Sequence, residues 1–203
     1  MRSRKGDLAL LLDRCLAAFV DAGTLDLSLD QLAKKAGRSK RMLVHYFGGR
    51  KNIEEEAMSR LEERLRAQFA ADSFSRGASP KAMLIALWDR ATAAESRGVL
   101  LLVMDLSRRA WNGSERAKVF YARQRNLWVE QLLRVLPNQA AVKEVLQLFQ
   151  GAIFEYLITG DRESGRRALM QTLARQHKST RRPSSRKKTR TRNQSRFDVR
   201  RSS

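Results

Sequence analysis

The stretch from Ser28 to Ile53, SLDQLAKKAGRSKRMLVHYFGGRKNI, constrains the fold of this chain more than any other. It reads as two short helical segments joined by a tight turn at Gly37. Ser28 and Gln31 stand at the spacing of a capping box, in which each side chain satisfies an orphan backbone donor of the other residue. Leu27 and Leu32 stand at that of a hydrophobic staple. Ala33 falls where two helices cross at close range and a side chain larger than methyl would hold them apart. Four residues later the chain must leave the first helix at Gly37, through a positive φ that glycine adopts at little cost. Ser39 is a second N-cap, opening a segment from Lys40 to Phe47 whose core face is Leu43 and Phe47. The stretch is a helix-turn-helix.

Its charge indicates what the outer face meets. Between Gln31 and Ile53 the basic residues are Lys34, Lys35, Arg38, Lys40, Arg41, Arg50 and Lys51, with no Asp or Glu among them. An ordinary solvated face mixes both signs. A helix-turn-helix with a positive face is the geometry that lays its second helix in the major groove of DNA. His45 and Tyr46 can each reach a phosphate or a base edge from that helix. No Cys or acidic residue lies near His45 in sequence, which argues against a metal or catalytic role for it.

The order of small Ala33, turn Gly37, Ser39, a short segment ending in aromatic Phe47 and then a basic residue resembles the TetR family of transcriptional regulators. The family pattern is met at Ser28, Leu32, Ala33, Ala36, Gly37, Ser39, Leu43, Phe47 and Ile53, with Arg50 in place of the usual lysine. Three positions depart from it. Arg38 replaces an apolar residue, Lys51 replaces an acidic one, and Val44 replaces a tyrosine that commonly contacts phosphate. The close match covers about twenty-five residues, and the rest of the chain matches in length and helical character. The resemblance implies contacts to double-stranded operator DNA from Ser28, Arg38, Ser39, Lys40, Arg41, Val44, His45, Tyr46, Arg50 and Lys51. It also implies a homodimer, a palindromic operator with half-sites roughly 34–36 Å apart, and control by a small ligand, most often as relief of repression.

With 203 residues the chain can bury a core, and its net charge of +20 and pI near 11.3 point to a polyanionic partner. No wholly apolar run, Val99 to Met104 among them, approaches the roughly 20 residues needed to span a bilayer. A basic start followed by LALLL faintly resembles a signal peptide, but Asp13 and Arg14 interrupt it and its spacing is helical, which argues against export. The single cysteine, Cys15, has no partner for an internal disulfide and reads as a small core residue. A cytoplasmic, nucleoid-associated protein is expected, with no membrane partner, no cofactor and no metal.

From the N-terminus, Leu8, Leu11, Leu12, Cys15, Leu16, Phe19 and Val20 form one helical face over Asp7 to Ala22, predicting a helix that packs behind the motif. A longer helix follows from Arg50 to about Asp72, with Glu54, Glu55 and Glu56 in its first turns, where carboxylates suit the helix dipole. SFSRGASP, Ser73 to Pro80, is a break and marks a boundary. Beyond it the periodicity predicts helices over Lys81 to Arg97, Val99 to Trp111, Ser114 to Leu136, Gln139 to Thr159 and Ser164 to His177. The fold class is therefore all-α. An N-terminal three-helix DNA-binding domain takes residues 1–50, a helical ligand-binding and dimerisation domain takes 51–176, and a disordered basic tail takes 177–203.

Large side chains concentrate in the second half. Individually they are core residues; together with the resemblance they imply a cavity for a small apolar or aromatic effector, with Trp88, Met104, Trp111, Tyr121 and Trp128 as candidate lining. Asp105 is expected in a structural ion pair with Arg108 or Arg109. The stripes of Val145, Leu148, Ala152 and Tyr156, and of Leu169 and Leu173, resemble the family's dimer face, two helices from each subunit. The tail holds eleven basic residues against one acid, half of the total net charge, with almost nothing apolar to order it. A non-specific, charge-driven nucleic-acid-binding protein is the alternative. No carboxylate pair, metal cluster or nucleophile–base set points to an enzyme.

Overall fold

A computed structural model describes residues 4–71 and 79–180. They form α1 (Arg4–Ala22), α2 (Leu29–Ala36), α3 (Lys40–Phe47), α4 (Arg50–Ala71), α5 (Pro80–Ala91), a 3₁₀ turn (Ala94–Ser96), α6 (Arg97–Trp111), α7 (Glu115–Leu133), α8 (Gln139–Thr159) and α9 (Arg162–Thr180). No strand occurs among the described residues, and none of their helices is long and apolar enough to cross a membrane. The all-α expectation is met.

The motif helices begin and end where their caps dictate. Ser28 Oγ accepts the Gln31 N–H at 3.2 Å while Gln31 Oε1 accepts the Ser28 N–H at 2.7 Å. Gly37 closes α2 at φ 64°, a left-handed conformation that glycine adopts without a Cβ clash. Ser39 Oγ accepts the Met42 N–H at 3.2 Å and opens α3. Leu32, Leu43, Ile53 and Ala57 are fully buried against Cys15, Leu16 and Phe19 of α1, so α1 packs behind the motif. Burial pushes the Cys15 thiol up to about 11, as suits a core position. Asp13 of α1 holds Arg60 at 2.8 Å and Arg64 at 2.9 Å, pinning α4 to α1. This core extends through Leu102 and Leu106 of α6 and Phe120 of α7.

Two further clusters fill the other half. One joins Met83, Leu84 and Leu87 of α5 to Leu132, Val142, Val145 and Leu173; the other centres on Trp88, Ile153 and Leu169. Trp88 is completely buried, donates its indole N–H to the Arg162 carbonyl at 3.1 Å, and meets Phe149 edge-on at 5.7 Å.

Several expectations change here. The helix predicted to Arg97 stops at Ala91, because the Thr92 carbonyl is taken by Tyr156 Oη at 3.0 Å and its hydroxyl accepts from Arg162 Nε at 2.7 Å. Gly98, which falls between the helices predicted to end at Arg97 and to begin at Val99, is the second residue of α6, where a Cβ would lie 2.5 Å from the Val20 carbonyl oxygen of α1. Helix α9 runs through Thr180, past the expected start of the tail at 177. Residues 181–203, most of the predicted tail, lie outside the described residues.

The candidate dimer stripe is also placed differently. Val145, Leu169 and Leu173 are buried within the subunit, and Leu148, Ala152 and Tyr156 are half-buried against the Trp88 cluster. Their apolar face packs against α5 and α9 of the same chain. Among the residues that α8 turns outward are Gly151, Phe154 and Ile158, the last two 58% and 68% exposed, beside polar Glu144, Gln147 and Glu155.

Candidate nucleic-acid interface

Helix α3 buries only Leu43 and Phe47 of its eight residues. The pair, one turn apart, fixes the rotation of the helix on the core and turns Lys40, Arg41, Met42, Val44, His45 and Tyr46 outward. The outer surface is thus a basic start followed by apolar and aromatic side chains, with the His45 and Tyr46 rings edge-on at 5.3 Å. Lys34, Lys35, Arg41 and Lys51 are exposed and make no ion pair among the described residues. Arg38, also exposed, donates to the Gly37 carbonyl at 3.0 Å. Lys40 pairs with Asp30 at 3.0 Å, but both side chains are well exposed, so the pair is weak and exchangeable.

Ser28 and Ser39 use their Oγ lone pairs as caps, which leaves each hydroxyl proton free to donate outward. The exposed N-terminus of α3 adds unpaired backbone N–H groups and the positive end of the helix dipole. Val44, 42% exposed, brings a methyl surface where a hydroxyl would be a donor.

Arg50 is the exception among the predicted contacts. Its Nε lies 2.8 Å from Glu54 Oε1, and its Nη2 lies 3.6 Å from Asp26 Oδ1 and donates to the Leu25 carbonyl at 3.3 Å. The guanidinium is tied into the protein rather than presented with the α3 face. Its partners flank it, Glu54 one turn on and Asp26 before the motif, and the acid-free window between Gln31 and Ile53 excluded both.

Those groups belong to a network that sequence reasoning found only in part. Asp105, buried near the end of α6, takes Arg108 Nη2 at 2.6 Å and Arg109 Nε at 3.0 Å, meeting the expected ion pair. It also accepts the Leu25 N–H at 3.1 Å and the Thr24 hydroxyl at 3.0 Å, eighty residues away in sequence. Arg108 and Arg109 reach on to Asp26 at 3.1 and 2.6 Å, and Arg109 Nη1 lies 3.7 Å from Glu54. Burial pushes the Asp105 carboxyl up; hydrogen bonds from Leu25, Arg108, Arg109 and Thr24 more than offset it and hold it below the usual range. Three arginines and three carboxylates thus join the loop before α2, the start of α4 and the end of α6. Arg116 of α7 adds an ion pair to Glu55.

The candidate effector residues lie at different places among the described residues. Trp88 and Met104 pack around the same cluster, and Trp128 meets Phe149 at 5.7 Å. Tyr121 lies on the surface, its hydroxyl accepting from Gln150 Nε2 at 3.3 Å. Trp111 is 91% exposed and lines no wall inside the subunit, because α6 ends there at the Asn112-Gly113 turn. A cleft of about 580 Å³ lies between α5 and α9, and one of about 320 Å³ lies where α4, α6 and α7 meet beside Leu25 and Glu54. None of the five residues lines either cleft. Among the described residues no cluster of His, Cys, Asp and Glu could hold a metal ion.

No protein-family model matches the sequence, and no curated protein matches it. Among solved structures, the chain is similar to the crystal structure of a Rhodococcus sp. protein assigned to the TetR family of transcriptional regulators. The two share 20% identity and superpose with a TM-score of 0.64 over 82% of this chain and 96% of that one. At that identity the likeness is one of fold.

Proposed function

We propose that this chain, which has the fold of a TetR-family regulator, is itself a regulator of that family, binding operator DNA as a homodimer under the control of a small ligand. The observation that carries the reading is α3: a capped helix held by two buried residues, with six outward side chains that include Lys40 and Arg41 and no carboxylate. In the major groove Arg41 donates to a base edge, Met42 and Val44 supply apolar contact of the kind that reads a thymine methyl, and Tyr46 and His45 reach phosphate or base. Ser28, Ser39, Arg38, Lys40 and Lys51 position the unit on the backbone.

The dimer forms through the outward face of α8 that carries Gly151, Phe154 and Ile158, and sets the separation of the two α3 helices. A ligand in the helical half shifts α6, and the Asp105 network passes the movement to the loop before α2 and to α4. Such a ligand changes operator affinity only by its difference in affinity between the two states, and DNA changes ligand affinity by the same factor. The ordinary sign is relief of repression.

Selection of bound sequences from random duplex DNA tests the reading directly. A palindromic consensus is the expected result, and Arg41→Ala and Tyr46→Ala each weaken binding to it by about 1–3 kcal/mol per lost base contact, with helix content unchanged. Recovery of no consensus, with binding that random competitor removes completely, leaves the charge-driven alternative.

A further inference from the structure

We propose that the cleft between α5 and α9 is a binding site for an amphipathic anion, a carboxylate or phosphate head on a hydrocarbon chain. The cleft has a volume of about 580 Å³, within the range of small-molecule sites. One wall is a face of α5 carrying Lys81, Ala82 and Ile85; the other is a face of α9 carrying Arg166, Arg167 and Met170. Ile85 and Met170 are half-buried and form an apolar floor, and the stems of the three basic side chains extend it.

The charges do not balance within the cleft. Three cations face a single carboxylate, Glu163. Lys81 and Arg167 make no ion pair among the described residues. Arg166 has its nearest carboxylate oxygen, Asp89 Oδ1, at 3.8 Å, beyond hydrogen-bond reach, and that oxygen already takes Arg162 Nη2 at 3.0 Å. The Arg166 Nε is buried without an acceptor, while its side chain as a whole is 43% exposed and can turn its outer nitrogens to the cleft. The capped N-terminus of α5, at Ser79, opens on the same cleft and adds its positive end. An anionic head relieves this excess, and the floor accepts a chain. A small hydrophilic anion leaves the floor wet, and an uncharged lipid leaves the cations unmet.

Calorimetry on the full chain tests the site, and its outcome is independent of whether the chain binds DNA. Decanoate and decyl phosphate are expected to bind, with decanol and acetate weaker by at least about tenfold, since one lacks the charge and the other the chain. The double variant Lys81→Gln/Arg167→Gln should lose at least about tenfold in decanoate affinity. Ala82→Trp fills the cleft from an exposed position without changing a charge, and should lose the same binding while circular dichroism stays unchanged. Co-sedimentation with phosphatidylglycerol vesicles that Ala82→Trp abolishes makes a bilayer lipid the source of the anion. Its absence, with decanoate bound, makes the source a free amphiphile. Failure of decanoate to bind, or equal binding by the wild-type chain and both variants, overturns the proposal.

Discussion

At Gly165 the chain has no room for a methyl group. A Cβ there would lie 2.5 Å from Cζ2 of Trp88 and 3.1 Å from the Ala152 Cβ. Trp88 cannot yield, because it is wholly buried and its indole N–H is held by the Arg162 carbonyl. Gly165→Ala should therefore destabilise the fold by about 1–3 kcal/mol, the usual cost of overpacking, although alanine is the better helix former. A urea midpoint at or above that of the wild type would show that the three helices can part. This contact could not be read from the sequence, since Gly165 looks like any glycine near the start of a helix. The turn at Gly37 was legible because its cause is local: a helix C-terminus followed by a second N-cap two residues later. Arg50 shows the opposite case. Its charge was evident, but its direction is set by Asp26 and Glu54, and only folding decides that they outcompete an outward path.

Helix α6, together with α7, ties the two halves together. Its start touches α1, with Gly98 under the Val20 carbonyl and Leu101 against Gly23, and its end carries Asp105 into the loop before α2. Asp105→Asn keeps the shape but removes the charge that orders Arg108 and Arg109, and should cost about 1.5–3 kcal/mol at neutral pH. Because the folded carboxyl is held below its ordinary value, its stabilisation is complete above the unfolded value and is lost as pH falls through the folded one. The difference between wild type and Asp105→Asn should shrink below about pH 4, as measured by urea unfolding across pH. A constant difference down to pH 3 would assign the effect to packing instead. At this scale the helices were largely legible: α8 has the predicted bounds, and α4 begins at the predicted residue and ends within one of it. What periodicity cannot supply is the identity of the covering partner. The Val145 and Leu169 stripes are apolar, and they are covered by the same chain.

For the whole molecule, the outward α8 face is where a second copy is expected. Phe154→Glu with Ile158→Lys removes two exposed apolar side chains and touches no internal core, so sedimentation should show monomers that keep full helix content. A persistent dimer would place the interface elsewhere. The other whole-molecule property is charge. Residues 181–203, outside the described residues, hold ten basic side chains and one acid, a large part of the net +20. Such a segment reads no bases from fixed positions, but it can neutralise phosphates beside an operator and release their counterions. Each phosphate engaged steepens the plot of log affinity against log salt by about 0.9. Deleting 181–203 should weaken operator binding at low salt, flatten that slope by several units, and leave the selected consensus unchanged, because the consensus belongs to α3. A salt series on both proteins, with the consensus and a scrambled duplex, separates the possibilities. An unchanged slope makes the segment a bystander on DNA, and a lost preference for the consensus means that it takes part in reading sequence or in holding α3 in place.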